Sequence, residues 1–232
     1  MKKHLFTFGL IVCTIFTIQA QHGTWDQLLR KYVSSTGRVN YRGFKAEKSK
    51  LNGYINYLAT ARVPNSRAAA MAFYINAYNA YTVKLIVDNY PTASITKLKG
   101  GKPWDYQFVK VAGKTYTLND IEHNILRKKY FDARLHFVLV CAAQSCPKLL
   151  NKAYTAANLN TELDRQARIF INNTAKNKIS SGSVQVSQLF NWYKGDFTKR
   201  SSLIGFINKY SKVKASANAK VTYLNYSWKL NE

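Results

Sequence analysis

Two cysteines close the run Arg134-Leu135-His136-Phe137-Val138-Leu139-Val140-Cys141-Ala142-Ala143-Gln144-Ser145-Cys146-Pro147. A thiol, a histidine upstream of it and a second histidine in Glu122-His123 are the residue types of nucleophilic acyl chemistry. In that reading Cys146 attacks an amide or peptide carbonyl. His136, or else His123, takes and returns the proton, while Glu122 or Asn79 fixes the imidazole ring. Backbone N–H groups around Ser145 and Cys146 would hold the oxyanion. Proline suits the first helical position, so Cys146-Pro147 is expected to open a helix whose dipole favours a thiolate. A Cys141–Cys146 disulfide is the competing use of the same residues. Zinc held by Cys141, Cys146, His123 and His136 is weighed and set aside. No metal and no cofactor are expected, and the phosphate-loop and HExxH patterns are missing.

These groups need elements to position them. Leu135 to Cys141 alternates β-branched and aromatic residues, so it is expected to be a buried central strand. The segment from Ser66 to Asn89 is apolar nearly all round and should form the buried spine of the domain, with Ser66 as cap. Asn76 and Asn79 lie inside it, where their amides must find partners; bonds to loop backbone are the expected ones. Thr117 followed by Asp120 is a capping box that starts a helix over about Leu118 to Tyr130. That helix carries Glu122, His123 and Arg127, which complete a polar network with Asn76 and Asn79.

The remaining chain supplies a frame. Helical spacing marks residues 24–33, the stretch from Lys45 to Pro64, Leu159 to Asn172 and Leu203 to Tyr210. Hairpins are expected at Tyr106 to Thr117 and at Ile179 to Val186, and the tail from Val221 to Trp228 alternates like a strand. Trp104 should anchor a glycine-containing loop, and His22 should sit in a loose terminus. The expected class is α+β: one domain over residues 21–232, a central apolar helix packed with peripheral helices against a modest, mainly antiparallel or mixed sheet.

Residues 1–20 read as a signal peptide, with basic Lys2 and Lys3, an apolar stretch and Ala20 before the cut. Export to the periplasm or medium is therefore expected, with no transmembrane anchor in the mature form. The net charge of +24 becomes +22 without the two leader lysines. So large an excess suits an anionic envelope polymer or peptide as partner. Nucleic acid is not expected, because the lysines are dispersed and no nucleic-acid signature accompanies them.

Ala72-Phe73-Tyr74-Ile75-Asn76-Ala77-Tyr78-Asn79-Ala80, Asp120-Ile121-Glu122-His123 with Ile125-Leu126-Arg127, and the His136–Cys141 and Ser145-Cys146-Pro147 stretches together resemble the domain-of-unknown-function family numbered 547. Trp192-Tyr193, Asp196-Phe197 and Tyr226-Ser227-Trp228-Lys229-Leu230-Asn231 resemble it too. The likeness spans nearly the whole mature chain and implies the compact exported form, with no established activity attached. It marks Asn76, Asn79, Glu122, His123, Arg127, His136, Cys141, Ser145, Cys146 and Pro147. Tyr74 stands where relatives have tryptophan. Ser227 stands where the pattern is acidic, which leaves the tail out of the expected site. A papain- or transglutaminase-like arrangement would have to be permuted, since both histidines precede Cys146. Two functions stay open: a binding or scaffolding module of the cell envelope, and, as the alternative, a thiol enzyme using Cys146.

Overall fold

A helix that is greasy on every side must be covered on every side, and the architecture follows from that requirement. The computed structural model describes residues 22–232, so the leader assigned to residues 1–20 lies outside the described residues. Helices α1 (Gly23–Tyr32), α2 (Tyr41–Ala46) and α3 (Lys48–Thr60) precede the spine α4 (Arg67–Asp88); α2 and α3 pack against it, and α1 packs on those two. Between Ala70 and Val87 every residue except Lys84 is buried. Ser66 begins α4 as expected, its Oγ accepting the Ala69 N–H at 3.3 Å.

His22 departs from the expected loose terminus. It is buried, with Nδ1 2.7 Å from the Tyr54 hydroxyl. Burial lowers its pKa from 6.5 to about 4. A histidine whose folded pKa is depressed binds more protons when unfolded, so stability falls as pH drops from the unfolded value toward the folded one. Denaturation between pH 6.5 and 4 should therefore show a loss of about 3 kcal/mol that His22→Asn removes. An unchanged acid slope in that variant would refute the assignment.

The first hairpin, β1 (Val109–Val111) with β2 (Lys114–Tyr116), turns at Ala112 and Gly113, both at positive φ as this tight turn requires. Tyr81 ties it to α4: its hydroxyl donates to the Lys110 carbonyl at 2.7 Å and accepts the Lys110 N–H at 2.9 Å. The capping box is present, with the Thr117 and Asp120 backbone N–H groups each bonded to the other's side chain at 2.9 Å. The helix it starts is wound as a π-helix from Asp120 to Arg127, a wide winding that recurs at functional sites.

Leu135 to Cys141 is not a strand. Ala133–Phe137 forms a 3-10 helix started by the Asp132 side chain, and the chain then runs irregularly to Cys141. The physical reason lies in α4. The Asn79 amide donates to the Val138 carbonyl at 2.9 Å and accepts the Val140 N–H at 3.0 Å, doing for this segment what a neighbouring strand would do. Leu135, His136, Phe137 and Val138 are all buried, so alternation there does not separate a wet face from a dry one. Nor does Cys146-Pro147 open a helix: the next one, α5, is Leu159–Ile171.

The actual sheet lies in the last third of the described chain. Strand β3 (Lys178–Ile179) pairs antiparallel with β4 (Ser183–Ser187), followed by the short helices α6 (Leu189–Trp192) and α7 (Lys194–Phe197) and by α8 (Leu203–Tyr210). Strand β5 (Lys220–Leu224) then pairs parallel with β4, from Ser183 opposite Lys220 to Ser187 opposite Leu224. With the separate first hairpin this makes an α+β fold of small antiparallel and mixed sheets. Phe137 enters an aromatic cluster with Phe170, Phe190 and Phe197, whereas Leu135 and Val138 pack into the cluster around α4. The 3-10 segment is thus the joint between the two. Among the described residues no helix is long and apolar enough to cross a membrane.

Candidate functional site

Where the irregular segment, the π-helix and the tail meet, they enclose a cavity of about 260 Å³. Its lining includes Glu122, His136, Cys141 and Cys146, so four of the residues singled out from the sequence converge. Tyr78, Tyr193, Tyr226, Trp104, Trp192 and Trp228 also line it. The tail, expected to stay out, is part of the wall. After Leu224 it leaves the sheet and crosses the cysteine loop, where Ala143 pairs with Leu230 and the Gln144 N–H donates to the Lys229 carbonyl at 2.8 Å.

Glu122 is buried, 5 % exposed, and accepts the Tyr78 hydroxyl at 3.2 Å. Tyr193 lines the same cavity. Burial first, and then the charge of Glu122, push both phenols above their ordinary value, so they stay protonated and act as donors.

His136 is stacked on Tyr193, ring centroids 3.8 Å apart, and its Nε2 lies 2.7 Å from Asp196 Oδ2. The same oxygen accepts the Arg127 Nε–H at 2.6 Å, and Arg127 Nη1 lies 2.8 Å from His123 Nδ1. Burial would raise the Asp196 carboxyl, but hydrogen bonds from His136 and Arg127 outweigh it and hold the group well below the usual carboxylate range. His123 and Arg127 do not line the cavity.

The two sulfurs have partners of a different kind. Both cysteines are free thiols. Cys146 Sγ accepts the Cys141 N–H at 2.9 Å, and Cys141 Sγ lies 3.1 Å from the Tyr226 hydroxyl. Burial opposes ionisation of Cys146, yet the bonds from Cys141, the positive charge of Lys176 and the Tyr226 hydroxyl turn the net direction downward. Burial, the bond to Cys146 and the like charge beside it push Cys141 up. Among the described residues no hydrogen bond joins either sulfur to a histidine. The N–H groups expected to form an oxyanion site are already used. Ser145 donates to the Ser227 carbonyl at 3.3 Å and Cys146 to the Ala143 carbonyl at 3.1 Å.

Asn76 and Asn79 do not enter the cavity. Asn76 pairs with the backbone of Tyr154, donating at 2.7 Å and accepting at 3.0 Å, as Asn79 does with Val138 and Val140. Both bond to loop backbone, as expected, and Asn79 does not orient a histidine. The polar network therefore divides: the asparagines hold backbone, while Glu122 and Arg127 belong to separate clusters on the π-helix. No three His, Cys, Asp or Glu side chains among the described residues converge as metal ligands would.

Sequence reasoning missed Asp196, Tyr193, Tyr226 and Lys176 as members of this site. An acid amid Trp192, Tyr193 and Phe197 was the available signal for Asp196. Tyr226 adjoins Ser227, whose departure from the acidic pattern placed the tail outside the expected site. Lys176 carried no signal.

Comparison with curated proteins and with solved structures returned no match. Residues 64–171 match the model of the family described as "Protein of unknown function, DUF547". That span holds α4, Glu122, His136 and both cysteines, and stops before Tyr193, Asp196 and Tyr226. This match assigns residues 64–171 to that family of proteins of unknown function.

Proposed function

We propose that this domain is an exported binding module of the cell envelope whose aromatic cavity takes an organic cation, such as the amine of a peptide side chain. One observation carries the reading: a cluster of tryptophans stands at the mouth of a cavity that holds a buried acid. Trp192 is 48 % exposed, although it is large and apolar. Its ring lies 4.8 Å from that of Tyr226 and 5.8 Å from that of Trp228, and Trp104 follows at 5.6 Å from Trp228. Indole faces attract cations, and a carboxyl group at depth supplies the counter-charge. The cavity lining holds Asp105 and Glu122 against one lysine, Lys102, in a chain of net charge +24. Basic surface outside the cavity would add weak, salt-screened attachment to anionic polymer. The acyl-transfer alternative has less support, since the sulfur lacks a histidine partner and the expected oxyanion donors are occupied.

The test is a tryptophan-fluorescence titration with an Nα-acetylated lysine amide, with the norleucine amide as neutral isostere. The protein is recovered from its host, where an N-terminus near Gln21 checks export and an intact Met1 refutes it. Saturable binding of the lysine amide alone is expected. Glu122→Gln should weaken it about tenfold, equivalent to about 1.4 kcal/mol. Equal binding of the two amides would overturn the cation reading.

A further inference from the structure

The cation reading leaves the two thiols unused, and they form a site of their own. A four-residue loop, Ala142 to Ser145, returns the chain so that the Cys141 N–H points at Cys146 Sγ from 2.9 Å. Ala142 takes a positive φ of 58°, and the tail pins the loop from outside through the Asn231 N–H to Ala142 carbonyl bond at 3.0 Å. Cys146 Sγ takes its hydrogen bond from the Cys141 N–H, and Cys141 Sγ lies 3.1 Å from the Tyr226 hydroxyl. Both residues border the aromatic cavity, and Cys146 also borders a second cavity with Gly37, Lys148 and Lys176. Lys176 Nζ donates to the Gln144 carbonyl at 2.8 Å and to that of Cys146, which keeps an ammonium beside the loop.

We propose that Cys146 and Cys141 act as a dithiol that reduces disulfides of small thiols entering the cavity, Cys146 attacking and Cys141 resolving. The roles follow from the surroundings. Cys146 has the donors and the cation that favour a thiolate, whereas Cys141 is held as a thiol. Cys146 Sγ⁻, its proton already released to solvent, attacks one sulfur of R–S–S–R. The S–S bond breaks, R–S⁻ leaves and takes up a proton, and Cys146–S–S–R remains. Cys141 then loses its proton and attacks Cys146 Sγ, expelling the second R–S⁻, which is protonated in turn. Two thiols are oxidised to one intramolecular disulfide and one disulfide is reduced to two thiols. Return to the dithiol requires the reverse exchange with excess small thiol. Cys146 is only 3 % exposed, so a flexible small disulfide fits and a disulfide inside a folded domain does not.

The probe is oxidised glutathione, added to the native mature protein, with samples acid-quenched and read by mass spectrometry. The wild type should pass to a Cys141–Cys146 disulfide through a transient single adduct on Cys146. Cys141→Ser should stop at that adduct, and Cys146→Ser should form any adduct at least tenfold more slowly. If Cys141→Ser does not fold, rapid-quench samples of the wild type decide, because the Cys146 adduct must precede the internal disulfide. Equal adduct rates on the two cysteines, two glutathiones retained by the wild type, or reaction no faster than in urea-unfolded protein would overturn the proposal. Failure of the amine titration leaves it standing, since it rests on the thiols alone.

Discussion

Asn79→Leu is expected to destabilise the domain by about 2–6 kcal/mol, because two buried backbone groups each lose a partner worth about 1–3 kcal/mol. The groups are the Val138 carbonyl and the Val140 N–H, bonded to the Asn79 amide at 2.9 and 3.0 Å. Asn79 and both valines are buried, so water cannot substitute without opening the core. Leucine keeps the number and branching of the heavy atoms, so the lost hydrogen bonds are the main change. A urea midpoint shifted downward with an unchanged slope is the expected result. Amide exchange then localises the effect: the Val140 N–H should lose its protection, while the hairpin held by Tyr81 keeps its own. Normal stability together with a protected Val140 would show that this segment holds its shape without Asn79.

Asp196→Ala should cost about 2–4 kcal/mol. Removing one partner of a buried charged pair leaves the other uncompensated, at about 3–5 kcal/mol when burial is complete. The discount reflects Arg127, whose side chain is 29 % exposed and can recruit water. His136, 2 % exposed, has no such recourse, and its ring would lose the acceptor that holds it against Tyr193. Asp196→Asn keeps one acceptor oxygen and should lose roughly half as much. The pH dependence has a definite sign. Since the folded carboxyl is held below its ordinary value, its contribution is present above about pH 3.9 and is lost as pH falls through the folded value. Asp196→Ala should flatten that part of the acid limb, which lies below the window governed by His22. A wild-type acid limb in this variant would show that the pair contributes nothing.

The glutathione and amine experiments bear on different atoms of one cavity. An amine seated against Glu122 need not touch either sulfur, so saturating amine and thiol exchange can be measured together. Slower exchange in its presence would place both reagents in the same space.

What the residues announce along the chain proved readable wherever the code is local. The Ser66 cap, the all-round apolar run of α4, the Thr117–Asp120 box and the Ala112-Gly113 turn each depend on neighbours within a few positions. The DUF547 resemblance read from those stretches was of the same kind. What failed depended on distance. Leu135 to Cys141 has a strand's composition, but its hydrogen bonds go to an asparagine about 60 residues earlier, and nothing local records that. His136 meets Asp196 across 60 residues, and Cys141 meets Tyr226 across 85. The sequence named the histidine, the acid Glu122 and the thiols as chemical residues. Only tertiary structure decided their partners: it gave His136 to Asp196, Cys141 to Tyr226, and the cavity mouth to tryptophans from a loop, the end of α6 and the tail. A side chain's chemistry is carried by its own atoms, whereas its pKa and its partner are set by whatever the fold brings within a few ångströms.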